Sequence, residues 1–190
     1  MSGSFNSRSL STLCALAIAA LPTSMAMADA SSDSSPIIEK VRHATARFVN
    51  INVALAEGWV PATPCVSGPD TGAMGVHLVL PARLDQIALK GDTPEALIYE
   101  PMTNGAMRLV GVEFIVKKSV WELTNPPPAV PAVEGNLMNL IGEPNRFGLP
   151  AFYEVHVWAW QDNPKGTFAD WNTRVTCDAQ AVSPSTAAQH

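Results

Sequence analysis

The chain has 190 residues, of which 47% are hydrophobic and 15% charged, and its 17 acidic and 12 basic residues give a net charge of −5. This length suits one domain with a single hydrophobic core. The acidic balance and the lack of a basic stripe argue against nucleic acid and anionic membrane surfaces as partners.

The first 28 residues have the pattern of a Sec-type signal peptide. Arg8 precedes an apolar run from Leu10 to Leu21, and the small-x-small site Ala26-Met27-Ala28 follows. A run of about a dozen residues is shorter than the roughly 20 that span a bilayer. We therefore predict cleavage after Ala28, export to the periplasm or the medium, and no membrane span in the mature chain.

The mature chain divides into three predicted parts. Residues 29–36 form a polar linker, residues 37–178 a single domain, and residues 179–190 a disordered tail of small residues. Two cysteines remain after the signal peptide, Cys65 and Cys177. In an oxidising compartment such a pair predicts a disulfide, with two free buried thiols as the alternative.

The segment Ile37–Glu57 predicts one long helix, because apolar residues recur at spacings of three and four. Ser35 suits the N-cap, Pro36 the first helical position, and Gly58 the stop. His43 and Glu57 lie on a stripe beside the apolar face.

Extended segments follow the helix and predict a sheet. The predicted strands are 74–80, 96–102, 108–117, 153–160 and 173–177. One helix followed by such strands predicts an α+β domain, with the helix packed on a curved antiparallel sheet of about four to six strands. This architecture is similar to that of cystatin-like and NTF2-like folds, a similarity that implies no function.

Three ionisable residues lie inside otherwise apolar strands: His77, Glu113 and His156. Two imidazoles and a carboxylate are a ligand set for Zn, Cu, Fe or Mn. The sequence therefore predicts a divalent transition metal bound by His77 and His156, with Glu113 as the third ligand. All three come from separate segments, and the chain has no HExxH motif.

The segment "YEVHVWAW" (153–160) predicts partners for this site. In a strand, alternate side chains share a face, so Glu154, His156, Trp158 and Trp160 would form one row. The predicted pocket and supporting residues are Glu154, Trp158, Trp160, Tyr99, Glu57 and His43.

The sequence does not identify a reaction, so whether the protein is an enzyme stays open. It lacks G-x-S-x-G, a P-loop lysine and the EF-hand ligand pattern. One alternative is a metal-free binding domain for a small apolar, aromatic or sugar ligand, with tryptophans as walls. Another is a structural exported protein with a tryptophan-rich partner surface.

The run "GAMGVHLV…PEALIYEP…RLVGVEFIV…FYEVHVWAW…NPKGTFADWN…C" resembles an uncharacterised family of small exported bacterial proteins and similar fungal ones. The resemblance covers roughly Glu57 to Cys177 and implies no activity. The segments that carry it also contain His77, Glu113, His156 and the two cysteines.

Overall fold

The computed structural model describes residues 35–68 and 70–180, together with Met1 and Gly3. The rest of the predicted signal peptide, the linker up to residue 34 and the tail beyond residue 180 lie outside these residues. The described part of the chain contains no helix with the length and hydrophobicity that a membrane crossing needs.

The single long helix predicted over Ile37–Glu57 is not confirmed. Helix α1 (Pro36–Thr45) is followed by a 3-10 turn, Ala46–Val49, and a short helix α2 (Ile51–Ala56). The break occurs at Asn50, whose backbone is extended and whose side chain accepts a hydrogen bond from the Asn52 N–H. Asparagine is favoured at such caps because its side chain satisfies a free amide of the next helix.

The apolar stripe that predicted the helix still packs on the sheet, although the helix is broken. Ile37, Val41 and Phe48 are buried in the main core. The predicted ends of the segment are confirmed, with Pro36 in the first turn and Gly58 in a left-handed conformation (φ 89°) just after α2.

Nine strands and one further short helix, α3 (Lys118–Trp121), lie within the described residues. The strands are β1 (Val60–Pro61), β2 (Val66–Gly68), β3 (Gly72–Val79), β4 (Ala96–Pro101), β5 (Met107–Lys117), β6 (Ala132–Val133), β7 (Asn136–Leu137), β8 (Asn139–Ile141) and β9 (Phe152–Val157).

Seven strands form one antiparallel sheet in the order β1-β3-β4-β5-β9-β8, with β2 also paired to β3, and β6 pairs with β7 separately. The α+β class with an antiparallel sheet is confirmed. Residues 173–177 do not form the predicted strand, because only Asn172 pairs with the sheet, through an isolated bridge to Ala73, before the chain turns.

Strand β9 alternates as its sequence predicts. Tyr153, Val155 and Val157 are buried in the core shared with the helices. Glu154 and His156 project to the opposite face, where they line a cavity. One side of the sheet is thus an ordinary hydrophobic core, and the other side carries the ionisable residues.

A bulge in β5 interrupts the alternation of side chains along that strand. Ile98 pairs with Gly111 and Tyr99 pairs with Leu109, so Val110 is an extra residue on β5. Leu109 therefore packs in the helix-side core, whereas Val110 joins a smaller cluster with Ile98 on the other face. A bulge reverses alternation beyond it because the period of a strand is two residues.

Cys65 and Cys177 lie at disulfide distance, with their sulfur atoms 2.10 Å apart, which is consistent with the predicted bond. The pair joins the segment before β2 to the last described residues. Next to it, the Cys65 N–H donates a hydrogen bond to the Gln180 side chain at 2.7 Å.

Candidate metal centre

His77, Glu113 and His156 come from three strands and meet on the face opposite the helices. Glu113 on β5 lies directly opposite His156 on β9, and His77 on β3 lies opposite Ile98 on β4. The three residues are 5%, 7% and 2% exposed. Burial of three ionisable groups is costly unless they are paired or hold an ion, so this cluster needs a chemical explanation.

The ring nitrogens of the two histidines converge. His77 Nε2 lies 3.4 Å from His156 Nε2 and 3.5 Å from a Glu113 carboxylate oxygen. β3 and β9 are separated by three strand spacings, about 14 Å in all. Two imidazoles cannot close that gap across a flat sheet, so the sheet must curve with this face concave along the line that joins them.

Glycine at position 75 helps to place β3 residues on this face. Gly75 has φ 96°, in the left-handed region, and this conformation interrupts the alternation of the strand. As a result Met74 and His77, three residues apart, both line the cavity. A Cβ at Gly75 would lie 2.7 Å from the Tyr99 carbonyl oxygen, so the position accepts only glycine without strain.

The outer nitrogen of each histidine has its own polar partner. The Thr63 hydroxyl lies 3.1 Å from His77 Nδ1 and also accepts from the His77 backbone N–H at 3.3 Å. His156 Nδ1 lies 3.0 Å from Glu154 Oε2. A carboxylate only accepts, so the hydrogen of the neutral His156 ring is on Nδ1, and its Nε2 lone pair faces the cluster.

Burial and neighbouring charge shift the pKa values of these groups in opposite directions. Burial, with the charge of His156, lowers the pKa of His77 to about 3. Burial alone would also lower the pKa of His156, but Glu113 and Glu154 outweigh it and raise that pKa. Burial raises the pKa of Glu113. His77 is therefore a neutral imidazole at pH 7, as metal ligation requires.

A cavity of about 370 Å³ adjoins the cluster. Its walls are mostly apolar, with contributions from Met74, Val79, Ile115, Phe147, Leu149 and Phe152. His77, Glu113 and His156 line it too, with Glu154 and Asp170. A largely apolar pocket with a few convergent polar groups is the usual form of a ligand site.

Glu154 and Asp170 extend the polar end of this cavity. Their carboxylate oxygens and a His156 nitrogen lie within 4.8 Å of one another, as do the ligand atoms of His77, Glu113 and His156. Glu154 Oε1 is buried and has no hydrogen-bond partner among the described residues. Burial, with the charge of Glu154, raises the pKa of Asp170.

The two tryptophans predicted for the pocket lie on different sides of the sheet. Trp158 stacks on His156, with ring centroids 6.0 Å apart. Trp160 follows the end of β9 and turns to the helix side, where its indole N–H donates to Thr45 Oγ1. The predicted row Glu154-His156-Trp158-Trp160 therefore breaks at its last member.

Three more predicted residues lie elsewhere. The Tyr99 hydroxyl donates to the Phe48 carbonyl in the helix-side core. Glu57 pairs with Arg47, 2.7 Å away, on the surface. His43 is exposed on α1. The described residues that line the cavity include no tryptophan, so the walls are aliphatic and phenylalanine side chains rather than the predicted indoles.

Sequence reasoning missed Thr63 and Asp170. Thr63 lies in the loop "PATPC", where nothing in the pattern marks a histidine partner. Asp170 lies in "FADWN", where an acidic residue between aromatic ones was a usable signal. Comparisons with family models, with curated proteins and with solved structures find no match to this chain. The resemblance to small exported proteins stays a prediction, and the function must be argued from the site.

Proposed function

We propose that this chain is an exported domain that binds one divalent transition metal through His77 Nε2, His156 Nε2 and the Glu113 carboxylate. The observation that carries the proposal is the convergence of these three atoms in a buried cluster. Export is supported by the signal-peptide pattern and by the disulfide distance between Cys65 and Cys177.

The separations favour a tetrahedral ion. Two ligand atoms each about 2.0–2.1 Å from a tetrahedral zinc are about 3.3–3.4 Å apart. The same bond lengths in an octahedron separate neighbouring ligands by only about 2.9 Å. The two contacts of His77 Nε2, at 3.4 and 3.5 Å, match the tetrahedral value. Zinc is therefore the ion that we expect.

Three protein ligands leave one tetrahedral position for water or for an atom of a bound molecule, as in catalytic zinc sites. The cavity adjoins the ligands and supplies the space for that group. Thr63 and Glu154 orient the two imidazoles from behind, the arrangement that fixes ring tautomers at metal sites. Water held in the open position of such an ion would be activated as a nucleophile.

A metal-free ligand pocket is the second candidate, and the pKa shifts favour it. Without an ion, a protonated His156 can donate from Nε2 to the neutral His77 Nε2, 3.4 Å away. The same two nitrogens that would hold a metal would then share one proton, and the cluster would orient a ligand rather than activate it.

Metal content distinguishes the two candidates. The exported protein, purified without a histidine tag, is incubated with Zn, Cu, Fe or Mn salts, desalted and measured by elemental mass spectrometry. We expect close to one zinc per chain, and loss of that zinc in His77→Ala, His156→Ala and Glu113→Gln.

The matched control is His43→Ala, which removes an exposed histidine on α1 and should leave the zinc content unchanged. Circular dichroism confirms that each variant folds. Absence of stoichiometric metal from the folded wild type with all four salts would contradict the metal centre and favour the metal-free pocket. Equal loss in His43→Ala would indicate surface binding instead.

A further inference from the structure

The cavity beside the proposed metal centre has apolar walls and one polar end. Residues from β3, β5 and β9 and from the segment after β8 make the apolar walls. The polar end holds Glu113, His156, Glu154 and Asp170. A volume of about 370 Å³ is at the small end of ligand pockets. The shape and polarity of this space restrict what it can accept.

The most specific feature at the polar end is Glu154. Its Oε2 accepts from His156 Nδ1 at 3.0 Å, and its Oε1 has no hydrogen-bond partner among the described residues although Glu154 is 2% exposed. A buried carboxylate oxygen without a donor is costly. A ligand that brings an O–H or N–H to Oε1 removes that cost.

The charges at the polar end disfavour ligands with an anionic head group. Glu113, Glu154 and Asp170 are three carboxyl groups at one end of the cavity, and one divalent ion cannot give that end a positive charge. Lys117 is the one lysine or arginine among the described lining residues, and its Nζ pairs with Asp85 at 2.6 Å. Among the described lining residues, a ligand with a carboxylate or phosphate head group would therefore meet three carboxyl groups and no free cationic side chain, which disfavours it.

We propose that this cavity binds a small, largely apolar molecule that carries one hydroxyl or amine group, with that group donating a hydrogen bond to Glu154 Oε1. The inference rests on the proposed metal centre for its charge balance. The apolar body would lie against Met74, Ile115 and Phe152.

Three small aromatic probes test the head group. Benzyl alcohol and anisole are isomers, but only benzyl alcohol has a hydrogen to donate, and benzoate carries a negative charge. Ligand-observed NMR titrations are run on the zinc-loaded protein and on the chelator-treated protein. We expect benzyl alcohol to bind at least about tenfold more tightly than anisole or benzoate, because it alone brings a hydrogen-bond donor to the buried, unpartnered Glu154 oxygen.

Glu154→Gln makes a sharper version of this test. In this variant His156 Nδ1–H needs the side-chain amide oxygen as its acceptor, so the amide NH₂ occupies the place of Oε1 and presents a donor. We expect the preference for benzyl alcohol over anisole to fall at least about tenfold. A purely structural role for Glu154 would weaken both probes equally.

A matched pair of variants tests whether the probe binds in the cavity. Leu84→Trp places a larger side chain on the lining of the cavity and should abolish binding of benzyl alcohol. Leu123→Trp makes the same change at an exposed position, 79% accessible, and should not alter binding. Neither variant changes a proposed metal ligand, so the zinc content should stay at the wild-type value.

The outcomes separate the two proposals. Preference for benzyl alcohol in the chelator-treated protein, with no zinc bound under any condition, would support this inference and contradict the metal centre. Stoichiometric zinc with equal binding of the three probes, or with none, would overturn this inference and leave the metal centre standing. An unchanged probe preference in folded Glu154→Gln would also overturn it.

Discussion

At the scale of single residues, the position of His77 depends on a hydroxyl group in the loop between β1 and β2. Thr63 Oγ1 contacts both the Nδ1 atom and the backbone N–H of His77, at 3.1 and 3.3 Å. These two contacts hold the ring with Nε2 directed at His156 and Glu113. Groups in this position tune metal affinity although they do not touch the ion.

We predict that Thr63→Val lowers zinc affinity by about 10–100-fold, because valine keeps the shape of the side chain but leaves His77 Nδ1 without its partner. Competition with a chromophoric chelator measures the affinity. Thr63→Ser keeps the hydroxyl and should retain most of it. Wild-type affinity in the folded valine variant would show that the hydroxyl does not support the site.

Glu95 gives a prediction of pH-dependent stability outside the cluster. Burial raises its pKa to about 7, although its carboxylate accepts a hydrogen bond from the Ile115 N–H. In the unfolded chain the pKa of a glutamate is about 4.3. Between these values the folded state binds more protons, so the free energy of unfolding falls as pH rises from about 4 to 7 and is then level.

We therefore expect Glu95→Gln, which keeps an acceptor for Ile115, to be more stable than the wild type by about 1–3 kcal/mol at pH 8 and nearly equal to it at pH 4. Urea unfolding at both pH values measures this difference. Glu57→Gln makes the same charge change on the surface and should show little effect at either pH. A deficit of stability in Glu95→Gln at pH 8 would contradict a raised pKa.

At the scale of elements, β9 was predictable from its sequence, whereas β5 was only partly so. Strict alternation in "FYEVHV" places Glu154 and His156 on one face without help from the rest of the molecule. In β5 the extra residue Val110 reverses the faces beyond it. Nothing in "MRLVGV" specifies which residue is extra, because bulges depend on the partner strand.

The helical segment Ile37–Glu57 was also only partly predictable from its sequence. Its apolar spacing predicts the buried face of the segment as far as Phe48, but the period alone does not reveal the break at Asn50. Beyond that break the spacing fails, because Leu55 is 45% exposed and Ala54 is buried instead. Asparagine is tolerated inside helices and favoured at caps, so its presence is consistent with either outcome.

The turn of β3 at Gly75 yields a prediction at this scale. Gly75→Ala must place a Cβ 2.7 Å from the Tyr99 carbonyl oxygen with φ at 96°, so we expect a loss of about 1–3 kcal/mol in the free energy of unfolding. Gly142→Ala meets no atom within 4 Å and should change stability little. Equal stabilities of the two variants would show that Gly75 is not constrained.

At the scale of the whole molecule, the pairing of Cys65 with Cys177 closes a loop of 112 residues. We predict that replacing both cysteines by serine lowers the free energy of unfolding by about 2–5 kcal/mol. The bond also anchors the segment that carries Thr63, so zinc affinity should fall as well. Urea unfolding of the wild type with and without reductant gives the comparison, and no effect of either change would contradict the bond.

The three proposed metal ligands could be picked out in the sequence, but their geometry could not. Three ionisable residues inside apolar strands were a visible anomaly in the sequence. Their convergence depends on the curvature of four neighbouring strands, a property of the assembled sheet that no single segment encodes. For the same reason, the sequence predicts Tyr99 and Trp160 in the pocket, whereas the structure places both on the helix side of the sheet.

Anomalous diffraction from a crystal of the zinc-loaded protein, measured on both sides of the zinc absorption edge, shows directly whether these three residues hold the ion. We expect one strong zinc peak bonded to His77 Nε2, His156 Nε2 and a Glu113 oxygen, each at about 2.0–2.2 Å, with the fourth position open to the cavity. A map with no peak between these residues, or with zinc only at surface groups such as His43, would contradict it.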